Sequence, residues 1–216
     1  MNRACNPYFQ VGLDVLDRPC LVVGGGQEAA DKAGRLLEAG AQLKLVSPRL
    51  CPQLQEWAAQ GRFSHQARRW EPADLDGVWL VLNTVNDPLL ASQIFAHAQT
   101  RGLLINTYDR PECSNLGMMA LVHPGHLRLS ISTSGASPAL AGRLRRDLEA
   151  LFDGEFAEYL DLLAQVRAHL KEQNIDREQR IRLLRELVEG FNLEGKLHYP
   201  ENWRKRMREL LKGRVD

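Results

Sequence analysis

Residues 19–30, which read Pro-Cys-Leu-Val-Val-Gly-Gly-Gly-Gln-Glu-Ala-Ala, predict how the first part of the chain folds. Residues 19–23 are a short apolar run typical of a buried strand, and residues 26–39 have the pattern of a helix. A second strand is predicted over residues 42–46. The glycine-rich segment therefore lies between a strand and a helix, which is the context in which such a segment binds a dinucleotide.

The glycine-rich segment fits the pattern G-x-G-x-x-A. In a dinucleotide-binding loop one glycine permits a tight turn, another lets the backbone approach a pyrophosphate, and a small residue, here Ala29, lets the helix pack on the strand. Free N–H groups at the helix start attract the anion. The residues expected to contact the cofactor are Gly24, Gly25, Gly26, Gln27 and Glu28. The alternative is a plain strand-to-helix turn that needs glycines for steric reasons.

Short apolar runs and amphipathic stretches continue to alternate as far as about residue 110. The predicted elements are a helix over 51–60, a strand over 63–66, a buried strand over 78–83, a helix over 88–101 and a strand over 103–107. Strands that alternate with helices at this spacing predict an α/β fold with a parallel sheet and helices on both faces.

Polar residues follow the predicted strands at the edge where α/β sheets bind ligands. Ser47, Pro48 and Arg49 replace the acidic residue that usually binds the ribose hydroxyls after the second strand. Ser47 can still hydrogen-bond a hydroxyl, and Arg49 can meet a 2′-phosphate or remain solvated, so the choice between NAD and NADP stays open. Asn83 and Thr84 are further candidate cofactor contacts, or simply polar residues at a strand end.

Asp109 is the candidate catalytic residue because it follows the strand over 103–107 directly. A carboxylate at this edge can act as a general base or orient a substrate N–H. The alternative is a turn aspartate ahead of Arg110 and Pro111. Asp87 is expected to cap the helix over 88–101 instead of serving a site.

The pattern changes after residue 110. Two strands are predicted over 117–122 and 127–132 around a Pro124-Gly125 turn, a helix opens at Ser137-Pro138, and the chain from about residue 150 is predicted to be entirely helical. The helices cover 151–172 and 177–191 with a break at 174–176, and a last helix starts near Pro200. We therefore expect a Rossmann domain over 1–112, a connecting unit over 113–149 and a helical domain over 150–216.

Hydroxyl groups are concentrated just before the helix that opens at Pro138. Ser132, Thr133, Ser134 and Ser137 can bind the carboxylates or phosphates of a substrate, or can perform ordinary helix capping. His123 and His126 flank the Pro-Gly turn, and no Cys or acidic partner is expected nearby, so we expect exposed turn histidines and no metal site.

Composition excludes several classes of function. The 216 residues carry 28 Lys and Arg against 27 Asp and Glu, so the whole chain has no electrostatic footprint for nucleic acid. The chain has no apolar run long enough for a membrane span or a signal peptide, and we expect a soluble, cytoplasmic protein.

The cysteines, expected to be reduced thiols, are Cys5, Cys20, Cys51 and Cys113. The basic residues crowded between Arg204 and Arg214 are interpreted as a solvated face, with attraction of a polyanionic substrate as the alternative.

Several segments together resemble the siroheme synthase N-terminal module family, precorrin-2 dehydrogenase/sirohydrochlorin ferrochelatase, over about residues 8–150. The matching segments are residues 20–33, residues 36–41, Val46-Ser47-Pro48, residues 105–109 (Ile-Asn-Thr-Tyr-Asp) and residues 132–138 (Ser-Thr-Ser-Gly-Ala-Ser-Pro). The last two elements, at this spacing, are more specific than the glycine loop. Arg110 stands where a second acidic residue often follows the family's aspartate.

The resemblance implies a definite activity and assembly. It implies a homodimer that oxidises precorrin-2, a tetrapyrrole with eight carboxylates, to sirohydrochlorin and passes a hydride to NAD+. Many members also insert Fe2+ as a second substrate. The family's key aspartate falls on Asp109, its substrate loop on Ser132 to Ser137, and its dimerisation unit on residues 113–149. No methyltransferase activity is expected.

Two other classes of function are alternatives to the dehydrogenase activity that the resemblance implies. A non-catalytic NAD-binding regulatory module usually keeps an acidic residue after the second strand and needs neither Asp109 nor the serine-rich loop. A short-chain dehydrogenase needs a Tyr with a Lys four residues on, and the residues four positions after Tyr8, Tyr108, Tyr159 and Tyr199 are Gly, Glu, Leu and Trp.

Overall fold

A parallel sheet organises the first half of the computed structural model, which describes residues 9–173 and 175–213. Its strands are β1 (Pro19–Val23), β2 (Gln42–Val46), β3 (Ser64–Gln66), β4 (Leu80–Asn83) and β5 (Leu104–Thr107). All pair in parallel in the order β3-β2-β1-β4-β5. The predicted α/β Rossmann class is confirmed. The order of strands reverses between β1 and β4, and their carboxyl ends therefore form the crevice where such sheets bind ligands.

Three helices cover the two faces of this sheet. They are α1 (Gln27–Glu38), α2 (Pro52–Ala59) and α3 (Pro88–Thr100), and they begin and end within one residue of the predicted bounds. In β1, Cys20 and Val22 pack into the core on the α1 side, whereas Leu21 and Val23 pack into a second core with Ile94 of α3. Burial on both faces explains why the strand reads as a continuous apolar run.

A second compact unit begins at Met119, directly after the first ends at Met118. Its elements are β6 (Ala120–Val122) and β7 (Leu129–Ile131), which pair antiparallel, and the helices α4 (Pro138–Leu151), α5 (Gly154–Glu172), α6 (Arg177–Glu186) and α7 (Trp203–Leu211). The predicted three-part division of the chain at residues 112 and 149 stays a prediction.

The prediction that the chain is entirely helical after residue 150 is wrong. Helix α6 ends at Glu186, not at residue 191, and two short strands, β8 (Asn192–Leu193) and β9 (Leu197–His198), form a hairpin. The reason is tertiary: the ring of Phe191 stacks on Tyr159 of α5 at 5.5 Å between ring centroids, and Tyr199 meets Tyr159 edge-on at 5.4 Å. These contacts fix both ends of the hairpin.

The predicted caps fit the observed helix starts. The Asp87 carboxylate accepts hydrogen bonds from the N–H groups of Leu89 and Leu90 at 2.9 and 3.1 Å, so its predicted capping role is confirmed. Asp176 caps α6 in the same way, at the predicted break. Asn174, also part of that break, lies outside the described residues. Helix α7 starts at Trp203, three residues later than predicted.

Three of the four cysteines can be described. Cys20, Cys51 and Cys113 are free thiols, as predicted, and Cys5 lies outside the described residues. Burial raises the pKa of the Cys20 thiol to about 11, which keeps it protonated in the core. Within the described residues, no helix has both the length and the apolar character that crossing a membrane requires.

A buried carboxylate, Asp74, fastens the segment between β3 and β4. Its side chain accepts two hydrogen bonds from Arg68 at 2.7 and 2.8 Å and one from the Glu71 N–H at 3.0 Å. Lys44 of β2 donates to the Asp74 carbonyl at 2.7 Å. Burial alone would raise the pKa of the Asp74 carboxyl, but the hydrogen bonds from Arg68 and Glu71 and the charge of Lys44 hold it below its usual value.

The lowered pKa of Asp74 predicts how stability depends on pH. A carboxyl whose pKa is lower in the folded state stabilises the fold above its unfolded pKa of about 3.9, and this contribution disappears as pH falls through the folded pKa. We expect Asp74→Asn to lower the free energy of unfolding at pH 7 by about 1–3 kcal/mol, because the buried charge-assisted bonds are lost. Urea unfolding at pH 7, 5 and 3 should show this difference shrinking below about pH 4.

The matched control is Asp76→Asn, which removes an exposed carboxylate that lies 3.4 Å from Arg101. An exposed pair contributes little, so this variant should remain close to the wild type at every pH. An Asp74→Asn difference that is equal at pH 7 and pH 3 would contradict the assignment of the stabilisation to the ionised carboxylate.

Candidate functional site

The glycine loop between β1 and α1 is shaped by two neighbouring loops. Gly24 has a φ of +116°, and a Cβ there would lie 2.3 Å from the hydroxyl oxygen of Thr84. A Cβ on Gly25 would lie 1.9 Å from the carbonyl oxygen of Arg49. A Cβ on Gly26, in contrast, meets nothing within 4 Å. The first two glycines are therefore required by the fold itself, and the open space at Gly26 is available to a ligand that approaches the backbone.

The start of helix α1 offers a binding site for an anion. Gly26 precedes the helix in extended conformation and supplies no side-chain cap, and the first N–H bonded within the helix is that of Ala30, which donates to the Gly26 carbonyl at 3.1 Å. The helix dipole and the uncapped N–H groups attract negative charge. Together with the open space at Gly26, this donor set fits the pyrophosphate of a dinucleotide.

The side chains of Gln27 and Glu28 have partners within the first unit. Gln27 donates to the amide oxygen of Gln53 at 3.3 Å. The Glu28 carboxylate lies 2.7 Å from the Lys32 ammonium one turn further along α1, which neutralises a negative charge next to the predicted pyrophosphate position. The roles of Gln27 and Glu28 as cofactor contacts stay predictions.

The carboxyl end of β4 lies beside the carboxyl end of β1, at the reversal of strand order. The Thr84 hydroxyl donates to the Val23 carbonyl at 2.9 Å and so ties the two strands together. Asn83 is 1% exposed, and its side-chain oxygen accepts a hydrogen bond from the Val85 N–H at 3.1 Å. Its amide nitrogen, Nδ2, is buried with no partner among the described residues. A bound cofactor can accept a hydrogen bond from such an unpaired donor at the ligand crevice.

The carboxyl end of β2 carries no acidic side chain. The buried Ser47 hydroxyl donates to the Arg49 carbonyl at 2.7 Å, so toward a ribose hydroxyl it keeps only the capacity to accept. The ring nitrogen Nε2 of His65 on β3 lies 2.9 Å from the Ser47 carbonyl. Pro48 and Arg49 are exposed. Sequence reasoning did not find His65, because only the pairing of β2 with β3 brings it here.

Asp109 lies in a tight turn after β5 with its backbone in the left-handed region, at a φ of +53°. The turn is held on both sides, because the Tyr108 N–H donates to the Asn83 carbonyl at 2.8 Å and the Arg110 N–H donates to the Thr107 carbonyl at 3.3 Å. Asp109 is exposed, and its carboxylate makes no hydrogen bond or ion pair with the described residues. A strained residue with a free carboxylate at the ligand-binding edge suggests a functional role.

Two buried polar residues, Thr107 and Ser114, and the exposed Asn115 hold the Asp109 turn in place, and none of them is among the predicted site residues. The Ser114 hydroxyl accepts from the Thr107 N–H at 2.9 Å, and the Thr107 hydroxyl donates to the Cys113 carbonyl at 2.8 Å. Asn115 accepts from the Ile105 N–H at 2.8 Å and so fastens the returning chain to β5. No local pattern marks these residues, since each pairs with a strand several residues earlier.

Arg110 follows Asp109 and lies half-buried. Its guanidinium nitrogen Nη1 lies 3.5 Å from the Glu112 carboxylate, and Nε is a buried donor without a partner among the described residues. Arg110 therefore places a cation next to Asp109 in the chain. The family that the sequence resembles often has a second acidic residue at this position.

The serine-rich loop of the second unit forms local hydrogen bonds. Ser132 accepts from the Ser134 N–H at 3.0 Å, Thr133 accepts from the Ser137 N–H at 3.1 Å, and Ser137 caps α4 by accepting from the Leu140 N–H at 3.2 Å. The predicted N-cap at Ser137 is confirmed. Ser134 has a φ of +50°, so this loop too holds a non-glycine residue in the left-handed region. Substrate binding by the loop stays a prediction.

One of the two turn histidines and some of the terminal basic residues have acidic neighbours that the local sequence does not indicate. Exposed His126 lies 3.4 Å from the carboxylate of Asp161 on α5, which corrects the view that no acidic residue is nearby. Arg204 lies 3.1 Å from Glu155 and 3.0 Å from Glu158, so part of the basic cluster pairs with α5. Within the described parts of the chain, no three His, Cys, Asp or Glu residues are grouped as a metal site requires.

Comparisons with known proteins agree with this geometry. A family model described as NAD(P)-binding matches residues 11–120, just over half of the chain, and a model described as sirohaem biosynthesis protein central matches residues 125–151. Siroheme synthase of Methylobacillus flagellatus is 34% identical over 199 residues, which is 92% of this chain and 43% of that protein. Siroheme synthase 1 of Aeromonas hydrophila is 36% identical over 154 residues, 71% of this chain and 33% of that protein.

A solved structure extends the likeness to nearly the whole chain. SirC, a precorrin-2 dehydrogenase, matches with a TM-score of 0.77 at 26% identity, over 95% of this chain and 98% of that chain. The present chain spans less than half the length of the curated siroheme synthases it matches. The predicted nicotinamide-binding fold is thus supported by a likeness that covers nearly the whole chain.

The contrast between Gly25 and Gly26 gives a test of the loop. Gly25→Ala should lower the free energy of unfolding by about 1–3 kcal/mol, because its methyl group must displace the Arg49 backbone. Gly26→Ala should change it by less than about 1 kcal/mol, since the methyl group enters open space.

The same Gly26→Ala change should weaken NAD+ binding about tenfold by keeping the pyrophosphate off the backbone. Calorimetric titration and urea unfolding measure both effects, and unchanged NAD+ affinity in Gly26→Ala would contradict the loop assignment.

Proposed function

This chain belongs to the NAD(P)-binding family of siroheme synthase modules, and on that premise we propose that it is a precorrin-2 dehydrogenase. The reaction removes a hydride and a proton from precorrin-2, reduces NAD+ to NADH and yields sirohydrochlorin. The likeness to SirC, which covers nearly all of both chains, supports this proposal over the other activities of longer siroheme synthases.

One observation carries the proposal. A free carboxylate, Asp109, stands in a strained turn on the same sheet edge as an uncapped helix start and an open glycine position. The turn is linked to the crevice directly, because the Tyr108 N–H donates to the carbonyl of Asn83 at 2.8 Å. A regulatory module that only senses NAD has no need for a carboxylate held at the cost of backbone strain.

The residues of this chain perform three tasks in the proposed reaction. The N–H groups at the start of α1 and the backbone at Gly26 bind the pyrophosphate. Asn83 and Thr84 line the crevice at the reversal of strand order and orient the cofactor. When bound, NAD+ supplies the hydride acceptor. The Asp109 carboxylate accepts the proton that precorrin-2 loses together with the hydride, and so acts as the general base.

The macrocycle is held through its carboxylates. We propose that the hydroxyl and N–H groups of the loop containing Ser132, Thr133, Ser134 and Ser137 bind some of these carboxylates. The Ser134 hydroxyl is without a hydrogen bond to the described residues, whereas the other three already accept backbone N–H bonds. Each of the three can still donate its own proton to a substrate carboxylate.

Metal insertion is a second reaction that we propose to test at the same carboxylate. Insertion of Fe2+, as a substrate, into sirohydrochlorin requires the loss of two pyrrole N–H protons. Asp109 is exposed, so it can accept these protons one after the other and release each of them to solvent. An anaerobic assay that adds Fe2+ after oxidation is complete separates the two steps by absorbance.

We further propose that two copies assemble through the region 113–149, and that residues 150–216, which carry α5, α6, α7 and the β8–β9 hairpin, form a separate, mainly helical domain. Among the described residues, neither β6 nor β7 pairs with a third strand, and a two-stranded sheet is marginally stable without further packing. On the following helix α4, Leu140 and Leu144 are 51% and 40% exposed and lie one turn apart. Apolar side chains in this position favour burial in an interface.

If the protein is a dimer, light scattering at micromolar concentration should give the molar mass of two chains. Leu144→Glu should lower the measured mass toward that of one chain, because it places a charge where the interface needs an apolar group. The control, Val188→Glu in the turn that follows α6, changes an apolar side chain that is also partly exposed and should leave the mass unchanged. A single-chain mass for the wild type would overturn the proposal.

Two substitutions of Asp109 test the catalytic role. Asp109→Asn should lower kcat for precorrin-2 oxidation about 10²- to 10⁴-fold, because the general base is lost, while the Kd for NAD+ stays unchanged. Asp109→Gly should lower kcat equally and raise the free energy of unfolding by about 1 kcal/mol, because glycine tolerates the left-handed backbone. Anaerobic absorbance assays, calorimetric titration and urea unfolding measure these quantities.

A matched control in the same loop is Glu112→Gln, which removes an exposed carboxylate two residues from Arg110. This variant should retain wild-type turnover. Wild-type turnover in Asp109→Asn would remove Asp109 from the mechanism, even if the NAD+ site proved correct.

A further inference from the structure

We propose that this chain also accepts NADP+, and that Arg49 binds the 2′-phosphate in a depression at the carboxyl end of β2. The inference rests on the proposed function, because it names which nicotinamide dinucleotides the same site takes. Three observations support it: Arg49 lies against the glycine loop, the residues that line the depression include no acidic one, and the Arg49 guanidinium has no partner among the described residues.

The end of β2 has no group that would reject a 2′-phosphate. Folds that select NAD usually carry a carboxylate here, which binds the ribose hydroxyls and repels the phosphate of NADP. In this chain the position is taken by Ser47, whose hydroxyl proton is committed to the Arg49 carbonyl at 2.7 Å. Ser47 can accept a hydrogen bond from a ribose hydroxyl, and it adds no negative charge.

The backbone holds Arg49 next to the cofactor crevice. The Arg49 carbonyl packs so closely on Gly25 that a Cβ there would lie 1.9 Å away. The next turn of the chain is fastened as well, since the Cys51 N–H donates to the Gly25 carbonyl at 2.7 Å. Arg49 thus directly adjoins the loop that receives the pyrophosphate, and the ribose follows the pyrophosphate in the dinucleotide.

The Arg49 guanidinium is available to a ligand. Its side chain is exposed and makes neither a hydrogen bond nor an ion pair with the residues that the structure describes. It borders an open depression of about 480 Å³, lined by Pro48, Arg49, Leu50, Gln55, Ala58 and His65. None of these residues is acidic, and a guanidinium binds phosphate through two parallel hydrogen bonds.

The test compares ligands that differ only in the 2′-phosphate. Calorimetric titrations with two matched pairs, NADP+ against NAD+ and adenosine 2′,5′-bisphosphate against AMP, are made on the wild type, on Arg49→Ala and on Arg49→Lys. Arg49→Ala should weaken the binding of NADP+ and of the bisphosphate about 10- to 100-fold, and the binding of NAD+ and AMP less than about threefold. The NADP+ affinity of Arg49→Lys should lie between those of the wild type and Arg49→Ala, because lysine keeps the positive charge and loses the paired hydrogen bonds. Arg69→Ala, which removes another exposed arginine of the first unit, is the control and should match the wild type.

The outcomes separate this inference from the function on which it rests. Wild-type protein that binds NAD+ but binds NADP+ at least 100-fold more weakly, or with an affinity that Arg49→Ala leaves unchanged, overturns the inference alone. Protein that binds neither dinucleotide overturns the proposed function and the inference together. Since the Arg49 side chain is exposed, thermal unfolding of Arg49→Ala should match the wild type, and the binding data then report on the phosphate contact.

Discussion

Two close contacts of the glycine loop, one with a side-chain hydroxyl and one with a backbone carbonyl, determine the shape of the cofactor crevice. Gly24 lies against Thr84, which follows β4, and Gly25 lies against the carbonyl of Arg49, which follows β2. A Cβ at Gly24 would clash with the Thr84 hydroxyl, and a Cβ at Gly25 would clash with the Arg49 backbone. Gly26 and the start of α1, in contrast, are open.

The turn that presents Asp109 depends on the same edge of the sheet. Its left-handed backbone costs free energy, which is offset by buried hydrogen bonds of Thr107 and Ser114 and by the link from Tyr108 to Asn83. The carboxylate itself takes part in none of these bonds. The supporting residues thus fix the position of Asp109 while they leave its charge free for a substrate.

The second unit has its own source of stability. An aromatic cluster joins α5, the β8–β9 hairpin and α7, with Tyr159 in contact with Phe191, Tyr199 and Trp203. The serine-rich loop that precedes α4 satisfies much of its own hydrogen bonding through caps and turns. Its hydroxyl protons remain available, and so a capping role and a substrate-binding role are compatible in the same residues.

The features that can be predicted from the amino-acid sequence are those whose signals are local. Strand β1, helix α1 and the glycines between them follow from apolar runs, periodicity and small residues over a few positions, and the caps Asp87 and Ser137 follow for the same reason. Other features depend on contacts between segments far apart in sequence and are visible only in the folded chain: which glycine is open, where Arg49 and His65 lie, and the strain at Asp109. The β8–β9 hairpin escaped prediction for the same physical reason: aromatic packing on Tyr159, and not local propensity, ends the helical run.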